Sequence, residues 1–286
     1  MKHRILVLGA GGMLGHALLR TLRNGKESEV FGTVRATDAL NMFDPEQRSN
    51  IFSEIDGRRP DTIRRIVEKL APCHIINCIG IVKQLKEAQN HEQSIAINSL
   101  LPHVLDAIAS ETESRLIHIS TDCVFSGKKG MYVETDFPDC FDLYGRSKLL
   151  GEVTDTSAVT LRTSIIGHEL KTSHGLVEWF LSQTKSVHGF RKAIFSGLPT
   201  VELSRIIADF VIPNESLRGL YHASANAIDK HALLTLIAKA YGRKIDIVPV
   251  DTPVLDRSLD STRFQAATGY HPPAWVELIE KMQVQR

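Results

Sequence analysis

The sequence has no surplus of either charge: 34 lysines and arginines face 33 acids, a formal charge of +1 over 286 residues. No global field therefore recruits nucleic acid or an anionic membrane surface, and neither is expected as a partner. Basic clusters such as Arg58-Arg59 and Arg64-Arg65 read as solvated surface. Cysteine is scarce. The four residues (Cys73, Cys78, Cys123, Cys140) form no CxxC pair and no metal-like cluster with histidines, so no metal is expected. Scattered thiols of this kind read as reduced and suggest a cytoplasmic protein. No uninterrupted apolar run reaches the roughly 18 residues that a membrane span needs. The basic start Met1-Lys2-His3-Arg4 mimics a leader, but no small-x-small cleavage site follows, so a signal peptide is not expected.

What the chain does have is apolar material, 43% of its residues, in an alternating order. Ile5-Leu6-Val7-Leu8 is a compact run ending in glycines, and Leu14, Leu18 and Leu22 then recur at helical spacing. Strands are expected at residues 29–34, 51–55, 74–77, 116–120 and 159–161, with helices opening at Pro60 and covering residues 91–109 and 144–152. This alternation with apolar strands predicts an α/β fold, a Rossmann-type doubly wound parallel sheet. Beyond residue 167 the rhythm loosens into a smaller C-terminal lobe. Helices are expected there at 176–183, 201–211 and 230–241, with a strand at 220–222. The division is thus 1–166 and 167–286, and segments such as 191–224 are able to return to the first part.

Gly9, Gly12 and Gly15 lie between the first strand and its helix, with Met13 and Leu14 opening that helix. Glycine there permits positive φ and close approach of backbone to a pyrophosphate, while the helix N-terminus offers free N–H groups. The turn therefore predicts a dinucleotide site. Its second strand ends Gly32-Thr33-Val34-Arg35, with no acid at the tip for a ribose 2′-hydroxyl and an arginine available for a 2′-phosphate. NADP(H) is favoured, and NAD(H) stays open through Asp38. Asp56 can accept from the adenine amino group, and Asn77-Cys78-Ile79-Gly80 would lie beside the nicotinamide ribose.

Tyr144 and Lys148 form a YxxxK pair that shares one helical face. A free phenol has a pKa near 10, and a neighbouring ammonium is expected to lower it towards neutrality. Upstream, the strand Leu116–Ser120 runs into Thr121, whose hydroxyl can face Tyr144 across the ligand crevice at the strand ends.

Gly9/Gly12/Gly15, Ile76-Asn77-Cys78, Ile119-Ser120-Thr121-Asp122-Cys123-Val124-Phe125-Ser126-Gly127, Tyr144-Gly145-Arg146-Ser147-Lys148 and Leu161-Arg162-Thr163-Ser164 occur in this order. Together they resemble the extended short-chain dehydrogenases/reductases, specifically the dTDP-4-dehydrorhamnose reductase group. The resemblance spans most of the chain and is strongest over residues 1–166. It implies NADPH-dependent reduction of a 4-keto group on a nucleotide-linked deoxy sugar, in the synthesis of cell-surface polysaccharide or glycan precursors. It implies Thr121, Tyr144 and Lys148 as the catalytic trio, Ser120 as a further cofactor contact, and Asn98 as a helper. The nucleotide-diphosphate sugar would bind between the lobes. Lys83, Asp122, Cys123, Val124, Arg162 and Arg257 are its candidate contacts, with Arg205 a further candidate for the diphosphate.

Two departures leave the particular sugar open. Cys123 stands where the group has an aromatic residue, and Ile79-Gly80-Ile81-Val82-Lys83-Gln84 replaces an Ala-Tyr-Thr-like loop. Cys123 also stands where related dehydratases carry a second carboxylate, which argues against dehydration. An epimerase, or a non-catalytic nucleotide-binding regulatory subunit, remains as an alternative, and a homodimer stays open.

Overall fold

In the computed structural model, which describes residues 3–25, 28–83, 86–170 and 173–285, the first apolar run becomes β1 (His3–Leu8) at the middle of a sheet. Side chains alternate across a strand, so Ile5 and Val7 enter the core on one face while Leu6 and Leu8 enter the core on the other. A strand buried on both faces requires helices on both sides, and the alternating chain supplies them. In order follow α1 (Met13–Asn24), β2 (Ser28–Thr33), the single turn α2 (Pro45–Arg48), β3 (Ile51–Phe52), α3 (Pro60–Leu70) and β4 (His74–Asn77). Next come α4 (His91–Ser94), a π-helical stretch Ile95–Leu100, α5 (Leu101–Glu111), β5 (Arg115–Thr121), α6 (Leu143–Leu150) and β6 (Val159–Thr163).

The later part contains β7 (Ile165–Ile166), α7 (Leu176–Ser182), β8 (Val187–Phe190), β9 (Ala193–Phe195) and β10 (Leu198–Pro199). It continues with α8 (Thr200–Ile206) and its π-helical extension Ile207–Val211, β11 (Gly219–His222), β12 (Ile228–Asp229) and α9 (Lys230–Ala240). β13 (Ile247–Val250), β14 (Leu255–Asp256), α10 (Thr262–Thr268) and α11 (Trp275–Val284) complete it.

Seven strands form the main sheet in the order β11-β6-β5-β4-β1-β2-β3, and every neighbouring pair is parallel. The order reverses between β1 and β4, which opens a crevice at the carboxyl ends of these strands. α3 and α5 cover one face through Ile63, Val67, Leu105 and Ile108. On the other face Leu14 and Leu18 of α1 share one core with Leu203 of α8, Leu233 of α9 and Leu278 of α11. The smaller lobe is thus continuous with the sheet: β11 is one of its strands, and α8 packs against α1 on its face. Its own pieces are three small sheets, β10-β7, β12-β9-β14 and β13-β8. The pattern did not foresee these strands, because runs of two to four residues carry no usable period. Among the described residues no helix is long and apolar enough to cross a membrane.

One buried ion pair joins several of these elements. Glu152, just past α6, receives Nε and Nη2 of Arg162 on β6, each at 2.7 Å, and the two side chains are only 5% and 4% exposed. Ser120 Oγ on β5 donates to the same carboxylate at 2.6 Å. The Arg162 guanidinium also lies over the Phe125 ring and reaches His222 Nε2 at 3.4 Å. Burial, followed by the Arg162 charge, pushes the His222 imidazole down to about 4, so it stays neutral. Removing one member of such a pair strands a buried charge. Arg162→Met is therefore expected to lower the unfolding free energy by roughly 3–5 kcal/mol in a urea titration. A loss below about 1 kcal/mol would contradict this account.

Candidate active site

The turn after β1 is shaped by its glycines. Gly9 adopts φ of +79°, and a Cβ on Gly15 would lie 2.3 Å from the Gly9 carbonyl oxygen. Only glycine lets α1 start this close to the strand. Gly12 caps α1 without a side-chain hydrogen bond, so the first-turn N–H groups face outward for an anion. The turn is braced from β2: Thr33 Oγ1 accepts from Gly9 N at 3.2 Å, and the Thr33 carbonyl accepts from Ala10 N at 2.8 Å. Leu14 is a core residue, while Met13 is half-buried at the mouth.

At the far end Arg35 is exposed directly after Val34. Asp56 is engaged by Arg58 at 2.6 Å, and that hydrogen bond holds its carboxyl below the usual range despite burial, with Arg35 adding to the effect. Arg58, read from the sequence as plain surface, is therefore the immediate partner of Asp56.

The loop after β4 is held in place by amides. Asn77 Oδ1 accepts from Ile79 N at 3.1 Å, and its Nδ2 meets His118 Nδ1 at 3.2 Å. Asn98 Oδ1 accepts from Ile81 N at 2.9 Å, while its Nδ2 donates to the Ile81 carbonyl and to Ser147 Oγ on α6. Asn98 lies in the π-helical stretch that interrupts what the periodicity predicts as one regular helix. Such a bulge re-aims a side chain out of the helical register, here onto both the loop and α6. Gly80 is exposed on this loop, and Lys83 Nζ bonds Asp142 Oδ2 at 2.7 Å. Gln84 lies outside the described residues.

Asp142 also caps α6, accepting from Gly145 N at 2.7 Å, and so fixes the first turn that carries Tyr144. Thr121 at the end of β5 neighbours Tyr144; its Oγ1 donates to Asp122 Oδ1 at 3.3 Å and accepts from Cys123 N at 3.1 Å. Lys148 is buried, with Nζ donating to the Ile119 carbonyl at 2.7 Å. Burial pulls this ammonium down to about 8, against the pull of Glu152 and Cys78. The tyrosine differs from expectation. Burial, then Cys123 and the carboxylates of Asp122 and Asp142, push its pKa up, and only the neighbouring Thr121 hydroxyl acts the other way. The phenol is thus fully protonated at neutral pH. The thiols of Cys78 and Cys123 are both pushed up to about 12, chiefly by burial, which removes Cys123 as a nucleophile.

The structure brings Thr121, Asp122, Cys123, Tyr144 and Arg257 together, with Lys148 one turn along α6 from Tyr144 and Cys78 beside it. It separates three expected contacts from them. Val124 is fully buried in a small core with Phe125, Tyr132 and Leu259, because the short 3-10 turn Asp122–Val124 rotates it inward. Arg162 is committed to Glu152, since strand alternation points it into the protein rather than the crevice. The Ser120 hydroxyl is spent on the same carboxylate. Arg205 is likewise paired with Glu202 and Asp209, away from these residues. Lys230, absent from the sequence-level candidates, lies in the electrostatic neighbourhood of Asp122, Cys123 and Arg257. Nothing local marks it, since a lysine at the start of a helix carries no motif.

A cleft of about 380 Å³ beside Tyr144 is lined by Lys83, Ala88, Gln89, His91, Asp142 and Leu143. The dTDP-4-dehydrorhamnose reductase of Aggregatibacter actinomycetemcomitans is 26% identical over 306 residues, covering 98% of this chain and 98% of that protein. Methionine adenosyltransferase 2 subunit beta of Danio rerio is 28% identical, covering 83% of this chain and 74% of that protein. The crystal structure of dTDP-4-dehydrorhamnose reductase from Bacillus anthracis in complex with NADP superposes with a TM-score of 0.82, covering 100% of both chains at 21% identity, and shares the fold. A family model described as the RmlD substrate binding domain matches residues 2–285, and the chain belongs to that family.

Proposed function

We propose that this protein is an NADPH-dependent reductase acting on a 4-keto group of a nucleotide-linked deoxy sugar, as its dTDP-4-dehydrorhamnose reductase relatives suggest. The observation that carries the reading is the placement of Thr121 at the carboxyl end of β5, next to Tyr144 on the helix of the buried Lys148, on the side of the parallel sheet where β1 runs into the glycine turn. The glycine cradle suits a pyrophosphate, and Arg35 suits a 2′-phosphate, so the residues present fit NADPH. When bound, NADPH supplies the hydride.

The chain's own residues supply the proton and the alignment. A buried phenol that keeps its proton is a general acid, so Tyr144 Oη donates to the keto oxygen as that oxygen gains charge. Thr121 Oγ1 holds the same oxygen in line. The Lys148 ammonium offsets the phenolate left behind and, with Asn77, Cys78 and Gly80, holds the nicotinamide end. The likeness to methionine adenosyltransferase 2 subunit beta marks the competing reading, a partner-binding subunit, against which the grouped Thr121, Tyr144 and Lys148 argue for turnover. The four thiols are free, which suits the reducing cytoplasm in which we place the protein.

Tyr144→Phe is expected to lower kcat by roughly 10²–10⁴-fold in NADPH oxidation with 4-keto nucleotide sugars. NADPH affinity should stay within about twofold, whereas near-normal turnover would contradict the proton-donor role. The pH dependence follows from Lys148: its charge is present below about 8 and lost above it. Initial rates of keto reduction should therefore be level near neutrality and fall as pH rises through about 8. A rate that holds level well into the alkaline range would show that this charge is not used.

A further inference from the structure

Asn77 and His118 form a polar pair on a largely apolar face of the sheet. They stand opposite each other where β4 pairs with β5, and the same row continues into Leu8 on β1. Ile75, Leu116, Leu105 and Ile108 pack on this face. Asn77 is 1% exposed and His118 0%, and Asn77 Nδ2 lies 3.2 Å from His118 Nδ1.

The protons of this pair follow from its chemistry. Ile79 N can only donate, so the Asn77 atom that receives it at 3.1 Å is the carbonyl oxygen, and the amide NH2 faces the imidazole. Nδ1 must then accept, which makes the ring neutral with its proton on Nε2. Burial, then the charges of Lys148 and His103, hold the imidazole well below its ordinary value and keep Nδ1 free to accept. Among the described residues Nε2 meets no partner, so the bond to Asn77 is what the ring contributes. Packing alone would favour an apolar side chain here, because a buried unpaired N–H is a cost.

The Asn77 amide in turn places a short loop. Through Ile79 N it holds Cys78 and Ile79 against the glycine turn, where a Cβ on Gly9 would lie 3.1 Å from the Cys78 carbonyl carbon and 3.2 Å from Ile79 Cγ1. Asn98 secures the far end at Ile81 and joins it to Ser147 on α6. The loop thus links the glycine cradle to the helix of Tyr144 and Lys148. Turning the Asn77 amide over would set its NH2 against the Ile79 N–H, donor against donor, and release that loop.

We infer that His118 is a positioning residue for the cofactor: its Nδ1 orients the Asn77 amide, and the amide fixes the loop Cys78–Gly80 at the nicotinamide end. The inference rests on the reductase reading above. Being fully buried, His118 itself touches neither cofactor nor substrate.

Titration of the protein with NADPH and with adenosine 2′,5′-bisphosphate, which carries the adenine end alone, tests this. His118→Leu should weaken NADPH binding by about tenfold or more and leave bisphosphate binding within about twofold, because the glycine turn keeps its brace from Thr33. His118→Asn should recover most of the loss, since its Oδ1 is bonded to Cγ as Nδ1 is in the imidazole. Unchanged NADPH affinity in His118→Leu, equal loss for both ligands, or no recovery in His118→Asn would overturn the inference and leave the reductase reading standing. Imidazole nitrogen NMR of the unmutated protein needs no variant to fold: His118 should show the neutral Nε2–H tautomer at neutral pH. An Nδ1–H tautomer or an imidazolium there would equally overturn the inference. An unmutated protein that binds no NADPH would strike the reductase reading itself, and the inference with it.

Discussion

The buried carboxylate of Glu152 is the point on which the site depends. It accepts from Ser120, the residue before Thr121, and stands four residues past Lys148, so one side chain ties the strand of the threonine to the helix of the tyrosine and lysine. A carboxylate this deep is tolerated only because Arg162 meets it with two hydrogen bonds. Arg162 in turn reaches His222 on β11 and covers Phe125, so the edge of the sheet and the loop after Thr121 are fixed by the same group. Asn98 performs the neutral counterpart from the opposite side, binding the loop after β4 to α6 through one amide. A shift in either anchor would move the proton donor relative to the cofactor cradle.

That framework sets the electrostatics. Excluding water raises the tyrosine and lowers the lysine, so the two move apart and each is driven towards its neutral form. A protonated phenol beside a buried ammonium is suited to giving a proton to a carbonyl that is gaining charge. The substrate side is arranged differently: Asp122 is raised by burial, and the charges of Arg257 and Lys230 offset this only in part.

The cradle, the strand ends and the YxxxK helix were legible in the sequence because each is specified within a few residues. Gly9 and Gly15 meet each other, and Tyr144 and Lys148 share a face by spacing alone. What escaped the pattern is long-range. Glu152 becomes a hub only when β5 and β6 lie side by side, and the π-helical turn at Asn98 leaves no periodic trace. Val124 and Arg162 were misplaced for a related reason: proximity in sequence to Thr121 or to the sheet end does not say which way a side chain turns. Val124 turns into the small core with Phe125, and Arg162 turns towards Glu152. The expected lowering of Tyr144 by the lysine does not occur, because burial, unknowable from a helical spacing, dominates and drives the phenol up.

Transfer of label from the cofactor addresses the central claim most directly. NADPH carrying deuterium at the transferable ring position should deliver a single deuterium to the former keto carbon of a 4-keto nucleotide sugar, read by mass spectrometry and NMR of the product, with one cofactor oxidised per sugar reduced. A product isomerised without label and without net NADPH oxidation, or binding of both ligands with no product, would contradict a reductase.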